Sequence, residues 1–176
     1  ETKVVELLLE RCNSEESGLN IKDQRGWTAF MWACGLGNKD VVQLLLDHSD
    51  PNIQLNATNN IGFTAFMLAC SSGHKDVVKL LLEHLDPSVE LNARDESGHT
   101  AFMVACSASC ASKDVVQLLL ERWGPFIDLN AIGTDGRTAS DLALVRGRND
   151  IVRLLLKQDS INFDLADSFD LVDFFK

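Results

Sequence analysis

Cysteine and histidine are the residues of this chain best suited to metal or redox chemistry, and it carries 5 of the first and 4 of the second. Cys34, Cys70 and Cys106 are spaced 36 apart, as are His48 and His84. No Cys-x-x-Cys or His-x-x-x-His pair occurs, so a zinc site is not expected. Cys12 stands alone near the start, and Cys110 falls in a serine-rich stretch where an exposed thiol is expected. His74 is placed in a turn and His99 at a loop tip. A serine nucleophile elbow, a phosphate loop and a dinucleotide fingerprint are absent from the sequence. Carboxylates are spread along segment starts and turns, the pattern of a solvated face. The sequence therefore predicts no enzyme, and no metal, cofactor or small-molecule substrate.

The even spacing is itself the signal. Gly26, Gly62, Gly98 and Gly136 recur at intervals of 36, 36 and 38. The first two units, GWTAFMWACGLGNKDVVQLLLDH and GFTAFMLACSSGHKDVVKLLLEH, agree at 16 of 23 positions, too many for chance. Each unit reads as two helices. Thr28, Thr64, Thr100 and Thr138 cap the first, whose apolar run (Ala29 to Cys34) suits a helix packed on several sides. A break of glycine or small residues follows, and a second helix starts at Lys39-Asp40, with Asp40 against the positive end of its dipole. Asp50-Pro51 ends it. An extended Ile53-Gln54-Leu55-Asn56-Ala57 is expected next, and then a turn back to the glycine. One helix pair cannot cover both its faces, so the pairs must stack into an all-α solenoid. In such a stack, neighbouring equivalent cysteines lie roughly 10 Å apart. A disulfide tolerates a Cα separation of only about 7 Å. Cys34, Cys70 and Cys106 are thus expected as small buried apolar residues in a reducing compartment.

The units resemble ankyrin repeats, whose pattern runs D-x-x-G-x-T-P-L-H-x-A, a glycine, V-V-x-L-L and an asparagine–alanine pair. The matching residues are Asp23, Gly26, Thr28, Ala33, Gly37, Val41-Val42, Leu44-Leu45 and Asn56-Ala57. Later units repeat them with Gly62, Thr64, Asn92-Ala93, Gly98, Thr100 and Asn130-Ala131. Three departures stand out. Pro-Leu-His is Ala-Phe-Met in three units and Ala-Ser-Asp in the fourth, so Met and Phe packing must replace the bracing imidazole, and only Asp141 offers a polar capping partner. The 36-residue units are longer than about 33, with the extra length near Asp50-Pro51 and Asp86-Pro87. The 38-residue unit carries Ser107 to Ser112 between its helices, predicting a local bulge or a longer inner helix.

These readings predict one ankyrin-repeat domain over 1–176, with helix-turn-helix units and β-hairpin or loop tips. It comprises a partial repeat (1–22), four full repeats (23–58, 59–94, 95–132, 133–160) and a degenerate C-terminal cap (161–176). The segment from Lys3 to Cys12 reads as the second helix of a unit whose first half would precede Glu1. In the last segment, Phe169, Val172 and Phe175 fall on one face of a short helix capped by Ser168, which reads either as a cap or as an acidic–aromatic docking peptide.

A net charge of −10 without a basic stripe argues against nucleic acid. Apolar runs no longer than triplets argue against a membrane span. What the resemblance implies is a monomeric, intracellular module, cytoplasmic or nuclear, that binds another protein. The alternatives are a spacer within a longer solenoid and a regulatory domain attached to an enzyme elsewhere. In similar proteins, partners contact the hairpin tips and the exposed side of the inner helices. Three tip columns are then candidates: Trp27, Phe63, His99 and Arg137; Gln24, Asn60, Glu96 and Thr134; and Arg25, Ile61, Ser97 and Asp135. Inner-helix ends add Leu36 and Arg146, among others. The columns vary while the frame does not, and Trp and Arg are the types most often found as interface anchors, which favours Trp27 and Arg137.

Overall fold

Four threonine hydroxyls start the inner helices. Thr28, Thr64 and Thr100 accept the backbone N–H of Met31, Met67 and Met103 at 3.2, 3.2 and 3.4 Å. Thr138 accepts that of Asp141 at 3.3 Å, and Asp141 accepts the Thr138 N–H in return at 2.9 Å, closing a reciprocal cap. Each such cap contributes about 1 kcal/mol. In this computed structural model, which describes residues 18–47, 53–84, 90–110, 112–158 and 161, the inner helices are α1 (Ala29–Gly35), α3 (Ala65–Ser72), α5 (Ala101–Ser107) and α7 (Ala139–Val145). The outer helices are α2 (Lys39–Asp47), α4 (Lys75–His84), α6 (Lys113–Trp123) and α8 (Asn149–Leu155).

Each inner helix packs on its own outer helix and on the inner helix of the next unit, so α1, α3, α5 and α7 form one row. The outer helices form a second row behind them. This is an all-α solenoid, as the repeat predicts. Its core is the repeated apolar run: Phe30, Phe66 and Phe102 are buried together with Met31, Met67 and Met103. Removing such side chains from water stabilises by roughly 1.5–3 kcal/mol each, which gives Met and Phe the bracing role expected of them. Cys34, Cys70 and Cys106 are free and fully buried in the same row. Burial pushes the Cys34 thiol up to about 12, and it raises Cys70 and Cys106 as well.

Two sequence expectations need correction or resolution. Ile53 to Ala57 is not extended: the Ala57 N–H donates to the Gln54 carbonyl at 3.1 Å, which folds the segment into a turn. Ala93 to Glu90 and Ala131 to Asp128 repeat that bond, and among the described residues strand pairing is reduced to one bridge, Thr58 with Thr64. Apolar–polar alternation at Ile53, Leu55 and Ala57 imitated a strand, although among the described residues no ladder forms at that point. In the long unit, α5 stops at Ser107 and Ala108 is already extended, so the added residues form a bulge and do not lengthen the helix. The Cys110 carbonyl lies 2.6 Å from where a Cβ on Gly73 would stand, so the bulge seats on the glycine turn of the preceding unit.

Cross-unit bonds tie the turns. The His74 ring lies 3.0 Å from the Gly35 carbonyl, and the Arg148 guanidinium donates to the Ala108 carbonyl. His84 meets Gln43 of the previous outer helix at 3.0 Å. These histidines are structural ties, as their periodic placement suggests. His48, Cys12, Asp50-Pro51, Asp86-Pro87, the segment from Lys3 and the segment around Ser168 lie outside the described residues. Among the described residues, no helix is long and apolar enough to cross a membrane.

Candidate partner-binding ridge

Every tip is built on one side chain that closes its own turn. Asp23 Oδ1 accepts the N–H groups of Arg25 and Trp27 at 2.8 and 2.9 Å. Asn59 does the same for Ile61 and Phe63, and Asp95 for Ser97 and His99. Asp and Asn, whose Oδ lies three bonds from Cα, are the short side chains that make this turn. The fourth tip has Gly133 at that place, and Asp135 takes over by accepting the Arg137 N–H at 3.1 Å. The glycine has a reason: a Cβ there would stand 2.8 Å from the His99 ring.

Tips are then joined to one another. Asn60 N–H donates to the Arg25 carbonyl, Glu96 N–H to that of Ile61, and Thr134 N–H to that of Ser97, at 3.1, 3.2 and 2.9 Å. Asn60 Nδ2 also donates to the Gln24 carbonyl, and Thr134 Oγ1 to that of Ser97, both at 3.0 Å. The second column thus stitches tips together as well as facing solvent.

In the first column, Trp27 is half-buried and tilted at 40° over Trp32, with ring centroids 4.5 Å apart. Its ring also covers Gly35, where a Cβ would approach it to 3.2 Å. One side chain therefore joins the tip to the inner-helix end. Phe63 is half-buried against the core. His99 is half-buried between two carboxylates, 3.9 Å from Asp95 and 4.0 Å from Asp135, with Nε2 buried and lacking a hydrogen-bond partner. Arg137 is exposed and lies 3.5 Å from Asp135. Gln24, Arg25, Asn60, Glu96 and Arg146 are all exposed. So are Leu36 at 60% and Ile61 at 54%, large values for aliphatic side chains in a well-packed repeat.

Sequence reasoning passed over Trp32. Trp32 is 37% exposed, whereas Leu68, Val104 and Leu142 at the same place in later units are buried. Its indole donates to Asp23 Oδ2 at 3.0 Å. The signal was a tryptophan where the other units carry an aliphatic residue. Val145, next to Arg146 at an inner-helix end, is 52% exposed. The Asp23 carboxyl is held below its ordinary value, chiefly by the Trp27 N–H, with burial opposing and the Trp32 indole and Arg25 assisting. Among the described residues, no group of three His, Cys, Asp or Glu could hold a metal ion. The ridge offers aromatic, aliphatic and charged side chains for contact.

The sequence matches the family described as "Ankyrin repeats (3 copies)" over residues 1–95 and 85–167. Similar proteins include Osteoclast-stimulating factor 1 of Danio rerio and of Xenopus laevis, each 46% identical over 48 residues. The Rattus norvegicus protein of that name is 42% identical over the same length. These matches cover 27% of the chain and 22% of the relative, so the chain spans about a fifth of the curated relatives it matches. Ankyrin repeats mark a protein–protein interaction module, and this chain belongs to the ankyrin-repeat family.

Proposed function

We propose that the chain is a non-enzymatic adaptor or scaffold module, a single domain over 1–176, that holds a partner protein along its tips and inner-helix ends. The observation that carries this reading is the exposure of Leu36 and Ile61 at positions that other units fill with polar or small residues, beside a frame of buried Phe, Met and Leu side chains. Exposing aliphatic side chains there brings the fold nothing, while an interface core would use them. Trp27 and Arg137 add anchor-type residues to the same ridge. A reducing cytoplasmic location fits free Cys34, Cys70, Cys106 and Cys110.

The test compares affinity capture by the chain with capture by a Leu36→Asp/Ile61→Asp variant, identified by mass spectrometry. Both sites are exposed, so the variant should keep its helical circular dichroism and melting temperature while losing the specific partner. Equal recovery by the two proteins refutes the ridge. Specific recovery of nothing by either supports a spacer instead.

A further inference from the structure

His99 is the member of the first tip column whose charge depends on pH near neutrality, since Trp27 and Phe63 carry none and Arg137 keeps its own. Its Nδ1 faces Asp95 Oδ2 at 3.9 Å, and its Nε2 faces Asp135 Oδ1 at 4.0 Å. Both separations are longer than a hydrogen bond. Nε2 is buried, with no hydrogen-bond partner among the described residues. Gly133 admits the ring: a Cβ there would stand 3.0 Å from Nε2. Asp95 Oδ1 already accepts the Ser97 and His99 N–H groups, which leaves Oδ2 for the ring. Asp135 Oδ2 lies 3.5 Å from the Arg137 guanidinium, and Oδ1, which accepts the Arg137 N–H, also faces Nε2. Two further charged groups stand at this joint. Arg94 donates to the Gly98 and Ile132 carbonyls at 2.9 and 2.7 Å, and Glu96 is exposed. The second tip, Asn59 to Phe63, has no titratable side chain. Of the inner helices that follow, α5 has only the buried Cys106 and α7 only Asp141, which caps with Thr138.

A neutral imidazole carries one N–H, so one of the two carboxylates always meets a bare ring nitrogen; an imidazolium carries two. We infer that His99 is a proton-operated clasp between the third and fourth tips. On taking up a proton from water, it donates to Asp95 and Asp135 together and draws the two tips onto one ring. Charge-assisted bonds of this kind are about 2.7–2.9 Å long, so each gap closes by about 1 Å. Imidazole changes its charge over about pH 5–8. The contribution is present on the acid side of that range and is lost as pH rises through it. The joint between the second and third tips, with Phe63 at this place, has no such response. The clasp goes beyond the adaptor reading and stands without it.

Amide hydrogen exchange of the full chain, corrected for intrinsic rates, reads two joints at once. The Thr134 N–H bonds across the joint of the third and fourth tips, and the Glu96 N–H across that of the second and third. Protection of Thr134 relative to Glu96 should rise about threefold between pH 8 and pH 5.5. Two variants should each abolish the rise. His99→Phe introduces the residue type of the second tip, and Asp135→Asn keeps an oxygen that can accept the Arg137 N–H. Should His99→Phe fail to fold, Asp135→Asn decides alone. A ratio that stays flat in the unaltered protein, or a rise that persists in either folded variant, overturns the clasp.

Discussion

Adding one methyl group at successive tip glycines should destabilise the stack in proportion to how closely the next tip sits. Gly62 and Gly136 have the same left-handed backbone, with φ of 79° and 77°. Alanine in that conformation costs roughly 1–2 kcal/mol. The restricted unfolded chain returns about 0.4–1 kcal/mol. Among the described residues Gly136→Ala meets nothing within 4 Å, so its net cost is this balance, about 0.5–1 kcal/mol. At Gly62 the new Cβ would stand 2.8 Å from the Glu96 nitrogen and 2.9 Å from the Asp95 Cα, both backbone atoms that cannot swing aside. The bond from Glu96 N–H to the Ile61 carbonyl, 3.2 Å long, must open. Losing it adds about 1 kcal/mol. Displacing the packed tip costs a further ~1 kcal/mol. Gly62→Ala should therefore cost about 2–3 kcal/mol, some 2 kcal/mol more than Gly136→Ala. With a urea dependence of about 2 kcal/mol per molar, the midpoints should differ by about 1 M. Gly98→Ala, whose Cβ would approach Thr134 N to 3.1 Å, should fall between them. Equal midpoints for Gly62→Ala and Gly136→Ala would show that the tips do not pack as described, and the steric reasoning would fail.

The thiols give a second test. With Cys34 raised from an ordinary 9.0 to about 12, its thiolate fraction falls about a thousandfold. Peptide mapping after brief treatment with an alkylating reagent at pH 8 should find Cys110 modified and Cys34, Cys70 and Cys106 spared until denaturant is added. Rapid labelling of Cys70 in the native protein would contradict its burial. A third test concerns acid. Because the folded Asp23 carboxyl is depressed below 3.8, its contribution to the first tip is present above that pH and is lost as pH falls through the lower folded value. Tryptophan emission should report the loss, since Trp32 donates to this carboxylate. Asp23→Asn should remove that acid-range step, and a step that persists in the variant assigns it elsewhere.

The sequence by itself determined the repeat, the helix pairs and their caps, because each depends on residues close in the chain. A threonine three residues before a methionine N–H, an all-round apolar run and a small-residue turn carry their meaning locally. It also located the tip columns, since equal spacing in a stacked repeat means equal position in space. Tertiary structure alone decided which members of those columns are spent on the frame. Asn60 and Thr134 reach carbonyls of the preceding tip, 36 and 37 residues away in sequence, and His99 takes the room that Gly133 leaves. The side chains of Leu36 and Ile61, by contrast, stay exposed. The turn at Gln54–Ala57 was likewise illegible, because an alternating pattern becomes a strand only when another strand lies beside it. Burial is set by what the next unit places against a residue, and a residue's own type does not carry that information.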